Sequence, residues 1–140
     1  MHLLSEFLPV AGAEGWQLSN PPILAMAPLR ASLEIFDEAG LDALRRKSLI
    51  LTGYLAYLID RIPGGAFQLL TPGDFGARGC QLSVRVKLRP QALLQALAAK
   101  GVVADFREPD VLRFAPVPLY NSFTEVWHLA EILRAAAAPA

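Results

Sequence analysis

From Leu41 onward the apolar residues Leu41, Leu44, Leu51, Leu55, Leu58 and Ile62 recur at alternating spacings of three and four, with the small Ser48 filling the one gap. That period predicts a long amphipathic helix over 41–62. Leu49, Ile50, Tyr54 and Tyr57 widen its apolar stripe, as expected of a helix packed both on a sheet and on a second body. Pro63-Gly64-Gly65 ends it, because proline cannot continue the hydrogen-bond ladder and the glycines relax the turn. The period then changes. Leu82, Val84, Val86 and Leu88 alternate with Gln81, Ser83, Arg85, Lys87 and Arg89, the pattern of a strand with one dry and one wet face in an antiparallel sheet. Phe67 to Leu70 is its expected partner, joined through a loop that contains Pro72, Gly73, Gly76 and Gly79.

Ahead of this region, Ser19-Asn20-Pro21-Pro22 puts two capping side chains before two prolines and predicts the start of a short helix. Pro28, with Leu29, Leu33, Ile35 and Phe36, predicts a second short helix, closed by Gly40 in the C′ position. Downstream, Pro90 opens a helix that buries Leu93, Leu94 and Leu97 and stops at Lys100-Gly101. Strands are expected at Val102 to Asp105 and at Val111 to Phe114. The last helix begins with Ser122-Phe-Thr-Glu125, a capping box, and shows the face Val126, Leu129, Ile132 and Leu133 before an Ala-rich tail that should fray after Arg134. The order of elements implies an α+β fold, a two-layer sandwich with a small, mostly antiparallel sheet and helices on one face. Residues 1–27 form a lead-in segment with a short helix, irregular from Met1 to Glu14, and residues 28–140 form the domain proper.

Composition narrows the function. A chain of 140 residues can bury about 68–70% of its unfolded surface. Its residues are 54% apolar and 19% charged, an excess that implies surface normally covered by something else. Thirteen basic and thirteen acidic side chains cancel, which removes electrostatic steering toward nucleic acid or an anionic membrane. The apolar runs are too short to span a bilayer, and the N-terminus lacks the basic region and cleavage site of a signal peptide. A single cysteine, Cys80, allows no internal disulfide, and His2 and His128 alone make no metal-ligand cluster. The expected setting is cytoplasmic and metal-free.

The chemistry concentrates between Arg107 and Phe123. Arg113 lies between Leu112 and Phe114 in an apolar strand, and a guanidinium there needs an anionic partner of matching geometry. Two partners are open: a neighbouring acid such as Asp110 or Glu108, or the carboxylate of a ligand. Pro116 and Pro118 brace the backbone just beyond it. Ser19 and Asn20 are open to two roles as well, as caps and as donors to a polar ligand group at a helix N-terminus. Tyr120-Asn121-Ser122 is mainly structural, and Cys80 is a small hydrophobe rather than a nucleophile. Lys47, Lys87 and Lys100 all fit charged surface positions, so none is a buried amine poised for Schiff-base chemistry.

Several blocks together resemble the kynureninase family. They are Gly15-Trp-Gln-Leu-Ser-Asn-Pro-Pro-Ile-Leu, Ser32-Leu-Glu-Ile-Phe, Arg46-Lys-Ser-Leu-Ile-Leu-Thr-Gly-Tyr-Leu, Arg78-Gly-Cys-Gln-Leu-Ser and Arg107-Glu-Pro-Asp-Val-Leu-Arg-Phe-Ala-Pro-Val-Pro-Leu-Tyr-Asn-Ser-Phe, running from about Gly12 to Leu133. The resemblance implies the C-terminal small domain of a type I pyridoxal-phosphate enzyme that hydrolyses L-kynurenine, or its 3-hydroxy form, to anthranilate and L-alanine in tryptophan catabolism. It implies that Arg113 binds the substrate α-carboxylate and that Asn20, with Ser19 beside it, lines the pocket for the aryl ketone. It also implies that the large N-terminal domain, with the Schiff-base lysine and most of the pyridoxal-phosphate site, lies outside this chain, that the intact enzyme is a homodimer, and that this part alone is inactive. A function of another class, a stand-alone α+β ligand-binding or interaction module, stays open on the residues themselves.

Overall fold

The computed structural model describes residues 5–138, so His2 and both extreme ends of the predicted lead-in and tail lie outside the described residues. The chain falls into two units, Met1–Glu38 and Ala39–Ala140. In the second unit, β1 (Phe67–Leu69), β2 (Leu82–Val86), β3 (Asp105–Arg107) and β4 (Val111–Phe114) form a four-stranded sheet in the order β1-β2-β4-β3. All of its neighbours are antiparallel. Alternation then decides which side chains are dry. Leu82, Val84 and Val86 of β2 and Leu112 and Phe114 of β4 are buried, and the register pairs Val84 with Leu112 and Leu82 with Phe114.

Three helices supply the other half of that core. The predicted long helix is α2 (Leu41–Asp60), which buries Leu51, Leu55, Leu58 and Ile59. Of the face expected on α4 (Phe123–Ala137), Val126, Leu129 and Leu133 are buried and Ile132 is half-buried, and Ala130 is buried with them. Helix α3 (Pro90–Ala99) adds Leu93 and Leu97. The α+β sandwich expected from the order of elements is therefore the observed architecture. Inside α2, the buried Thr52 hydroxyl donates to the Ser48 carbonyl at 2.8 Å, so the donor of this buried polar side chain is met within the helix.

Four details depart from the sequence expectations. The two short helices are one helix, α1 (Ile23–Ala39), with Pro28 inside it. Proline has a helical φ, and although it loses its donor and its ring crowds the carbonyl of Leu24 four residues back, the helix continues through it. The strand expected at 102–105 is displaced to β3, because Val102 still donates to the Leu97 carbonyl at 2.9 Å and so belongs to the stop of α3. Leu88, expected inside, is 68% exposed, since β2 ends at Val86 and the chain swings through Arg89, at φ 45°, into α3. Finally, the Ala-rich stretch after Arg134 remains helical as far as Ala137. Gly40, expected at C′, and Gly101, where the next helix was expected to stop, both sit at φ 77°, a positive φ that favours glycine.

Candidate functional site

Period-two alternation that buries Leu112 and Phe114 must turn Val111 and Arg113 to the opposite face. That face of the sheet is polar. Cross-strand register sets Arg113 of β4 between Ser83 of β2 and Asp105 of β3, while the neighbouring row runs Gln68, Arg85, Val111, Arg107. The arginine is thus fixed on a central strand, not on a loop. Beyond it the buried Pro116 and the turn that follows hold the chain, with Asn121 Oδ1 accepting from the Val117 N–H at 2.8 Å and the Asn121 N–H donating to the Val117 carbonyl at 2.8 Å.

The partner of Arg113 is Asp105, neither Asp110 nor Glu108. Both Nε and Nη2 of Arg113 reach the same carboxylate oxygen of Asp105, and Arg107 Nε donates to that oxygen from the side at 2.9 Å. Asp110 instead pairs with Arg85, at 3.3 Å. Sequence reasoning missed Asp105 as the partner because it placed that residue at the end of the strand expected at 102–105, whereas it opens β3 and so pairs with Arg113. A hairpin turning over Glu108 to Asp110 would have revealed it, since such a turn places Asp105 opposite Arg113. The Asp105 carboxyl is pushed up by desolvation, but the hydrogen bonds and charges of Arg113 and Arg107 outweigh this and hold it below the usual carboxylate range. Among the ion-paired side chains of this face, three guanidiniums meet two carboxylates, so one positive charge is left for an anion.

Arg113 has the geometry to take that anion. A guanidinium offers five donors on two usable edges. Asp105 occupies the Nε–Nη2 edge, and Nη1 has no partner among the described residues, so the Nη1–Nη2 edge remains open. The side chain is 30% exposed, reachable by a ligand yet partly desolvated, a setting in which a bidentate carboxylate pair gains strength.

Ser19 and Asn20 lie in the first unit, Arg113 in the second. Both are exposed, and the cap reading does not hold, because α1 starts at Ile23 and the first-turn amides of Ala25 and Met26 donate to the Pro22 carbonyl instead. The Ser19 carbonyl accepts from Gln17 Nε2 at 2.9 Å, leaving both polar side chains without a hydrogen bond to another described residue. Ser122 and Glu125 form the expected capping box, which confirms the structural role of that segment. Cys80 is half-buried. Arg78, within one of the resembling blocks, stacks over the Phe75 ring and has a buried Nε with no partner among the described residues; burial and then the nearby Arg45 lower its pKa.

Known proteins resemble this chain in sequence and in fold. A kynureninase from Myxococcus xanthus is 56% identical over 128 residues, covering 91% of this chain, and one from Xanthomonas euvesicatoria is 55% identical over 136 residues, covering 95%. The chain spans only 30% and 32% of those two relatives. A solved structure of the cystine C–S lyase C-DES in complex with its product, cysteine persulfide, superposes with a TM-score of 0.70 at 16% identity over 89% of this chain and 32% of that one, which establishes a shared fold. A C-DES mutant with glycine covalently linked to its pyridoxal-phosphate cofactor does so with a TM-score of 0.69 at 16% identity, over 90% and 35%. The model of the kynureninase C-terminal domain matches residues 44–133, which contain the whole sheet, all of α3, most of α2 and α4, and the Arg113–Asp105 pair, and the chain accordingly belongs to that family.

Proposed function

We propose that this chain is the substrate-orienting C-terminal part of a kynureninase. In this reading Arg113 receives the α-carboxylate of L-kynurenine, or of its 3-hydroxy form, while the Cβ–Cγ bond is hydrolysed to anthranilate and L-alanine. The observation that carries it is the open Nη1–Nη2 edge of Arg113 on the polar face of the sheet, with one unbalanced positive charge around it. A carboxylate held by both nitrogens loses two rotational freedoms as well as its translation, and such orientation lowers the barrier of the step that follows. Ser19 and Asn20, whose side chains have no hydrogen bond to another described residue, are assigned to the wall beside the aryl ketone.

Pyridoxal phosphate, the cofactor implied by the family, needs a lysine amine for its aldehyde. Lys87 and Lys100 are exposed, and Lys47 is half-buried beside Glu125, so no lysine here is the desolvated amine that such chemistry favours. The residues present do not fit the cofactor by themselves. Its contacts are assigned to a large N-terminal domain outside these 140 residues, and this part alone is inactive. A cytoplasmic homodimer is the assigned state of the intact enzyme; no helix among the described residues is long and apolar enough to cross a membrane.

Replacing the guanidinium tests the reading. In the intact enzyme Arg113→Ala should raise KM for L-kynurenine and lower kcat/KM by about 100-fold or more, with an unchanged melting temperature. Kinetics close to those of the parent would overturn it.

A further inference from the structure

We propose that Asp105 is a positioning residue for substrate binding: it grips the Nε–Nη2 edge of Arg113 and thereby aims the Nη1–Nη2 edge at the incoming carboxylate. The inference rests on the role given to Arg113 and adds a second residue to it.

An arginine side chain has four rotatable bonds, and a single central-strand anchor at its Cα fixes none of them. What fixes the guanidinium here is one carboxylate oxygen on the adjacent strand, contacted by both Nε and Nη2. A planar group held at two points along one edge has its opposite edge determined as well. Asp105 is in turn held from the other side by Arg107, whose Nε donates to the same oxygen at 2.9 Å. The hairpin register supports the arrangement from the backbone, pairing Asp105 with Arg113 and Arg107 with Val111.

Charge favours the same reading over a plain structural ion pair. Asp105 opposite Arg113 alone would cancel the positive charge that a substrate carboxylate needs. With Arg107 on the same oxygen, the group of three keeps one net positive charge while Arg113 stays oriented. Arg107 thus restores the attraction that Asp105 would otherwise remove.

A double-mutant cycle in the intact enzyme tests this, using Arg113→Ala, Asp105→Ala, Asp105→Asn and the Arg113→Ala/Asp105→Ala pair, with steady-state kinetics on L-kynurenine and thermal melting of each variant. Asp105→Ala should lower kcat/KM by about 10- to 100-fold, as a misaimed binding group does. Asp105→Asn, which keeps an acceptor oxygen at the same place, should recover a large part of that loss. The double variant should be no worse than Arg113→Ala alone, because Asp105 acts only through the arginine. An Asp105→Ala enzyme within about twofold of the parent, or losses that multiply in the double variant, would overturn the inference and leave the role of Arg113 standing. A neutral Arg113→Ala would remove both. Should Asp105→Ala melt early, the Asn variant decides: normal melting together with a kcat/KM well above that of Asp105→Ala supports aiming, whereas equal losses in Asn and Ala overturn it.

Discussion

In the proposed reading Arg113 performs two tasks with one planar group, and this sets a strict demand on the side chain. One edge is given to Asp105, and the other is open for the carboxylate that the reading assigns to it. A lysine carries the same charge but presents it as a point with rotating donors, so it cannot hold a fixed neighbour and a bidentate carboxylate in one plane. Arg113→Lys in the intact enzyme should therefore recover little of the kcat/KM lost in Arg113→Ala. Steady-state kinetics on L-kynurenine check this, and a lysine variant close to the parent would mean that charge alone suffices. The arginine was legible in the sequence because a cation set between Leu112 and Phe114 in an apolar strand needs an anionic partner. Its partner was not. Asp105 becomes adjacent only through a cross-strand register, which depends on where a hairpin turns, and the local pattern at 102–105 drew the strand three residues too early.

Elements specified by contiguous residues were the ones the sequence specified well. The capping box of α4 is contained in four residues, and it forms as expected: the Glu125 N–H donates to Ser122 Oγ at 3.2 Å, and the Ser122 N–H donates to Glu125 Oε2 at 2.7 Å. Strand β4 and helices α2 and α3 were likewise legible, from period and punctuation. Pro28 misled, because a proline signals a break only when the lost bond matters more than the rest of the ladder. The box has a measurable consequence. The Ser122 N–H first, then its hydroxyl, hold the Glu125 carboxyl below the usual range, with smaller help from Asn121 and Lys47, against an opposing desolvation. A carboxyl whose folded pKa is depressed stabilises the fold fully above its unfolded value, about 4.3, and loses that contribution as pH falls through the folded value. Ser122→Ala should cost about 1 kcal/mol at neutral pH, and the penalty should shrink on acidification below the ordinary carboxylate range. Urea midpoints of both proteins across that range decide it; a penalty independent of pH would separate the cap from the charge of Glu125.

At the scale of the whole molecule, burial is distributed very unevenly between the two units. Helix α2 buries Leu51, Leu55, Leu58 and Ile59, whereas α1 buries none of its residues and exposes Ile23, Leu24, Met26, Leu29, Leu33 and Ile35. The excess apolar composition read from the sequence is thus concentrated where the chain has least core of its own. Helices in proteins owe most of their stability to a packed face, and one of this length without such a face is marginal in water. Local opening should then be far cheaper in α1 than in α2. Hydrogen–deuterium exchange of the 140-residue chain, followed peptide by peptide, should show α1 amides exchanging orders of magnitude faster than those of α2. In the intact enzyme, where the relatives are about three times as long, the gap should narrow as that apolar face becomes covered. Equal protection of both helices in the chain alone would mean that α1 draws its stability from its own ladder. A gap that persists unchanged in the intact enzyme would mean that nothing packs on it, and the exposed residues from Ile23 to Ile35 would then need another physical account.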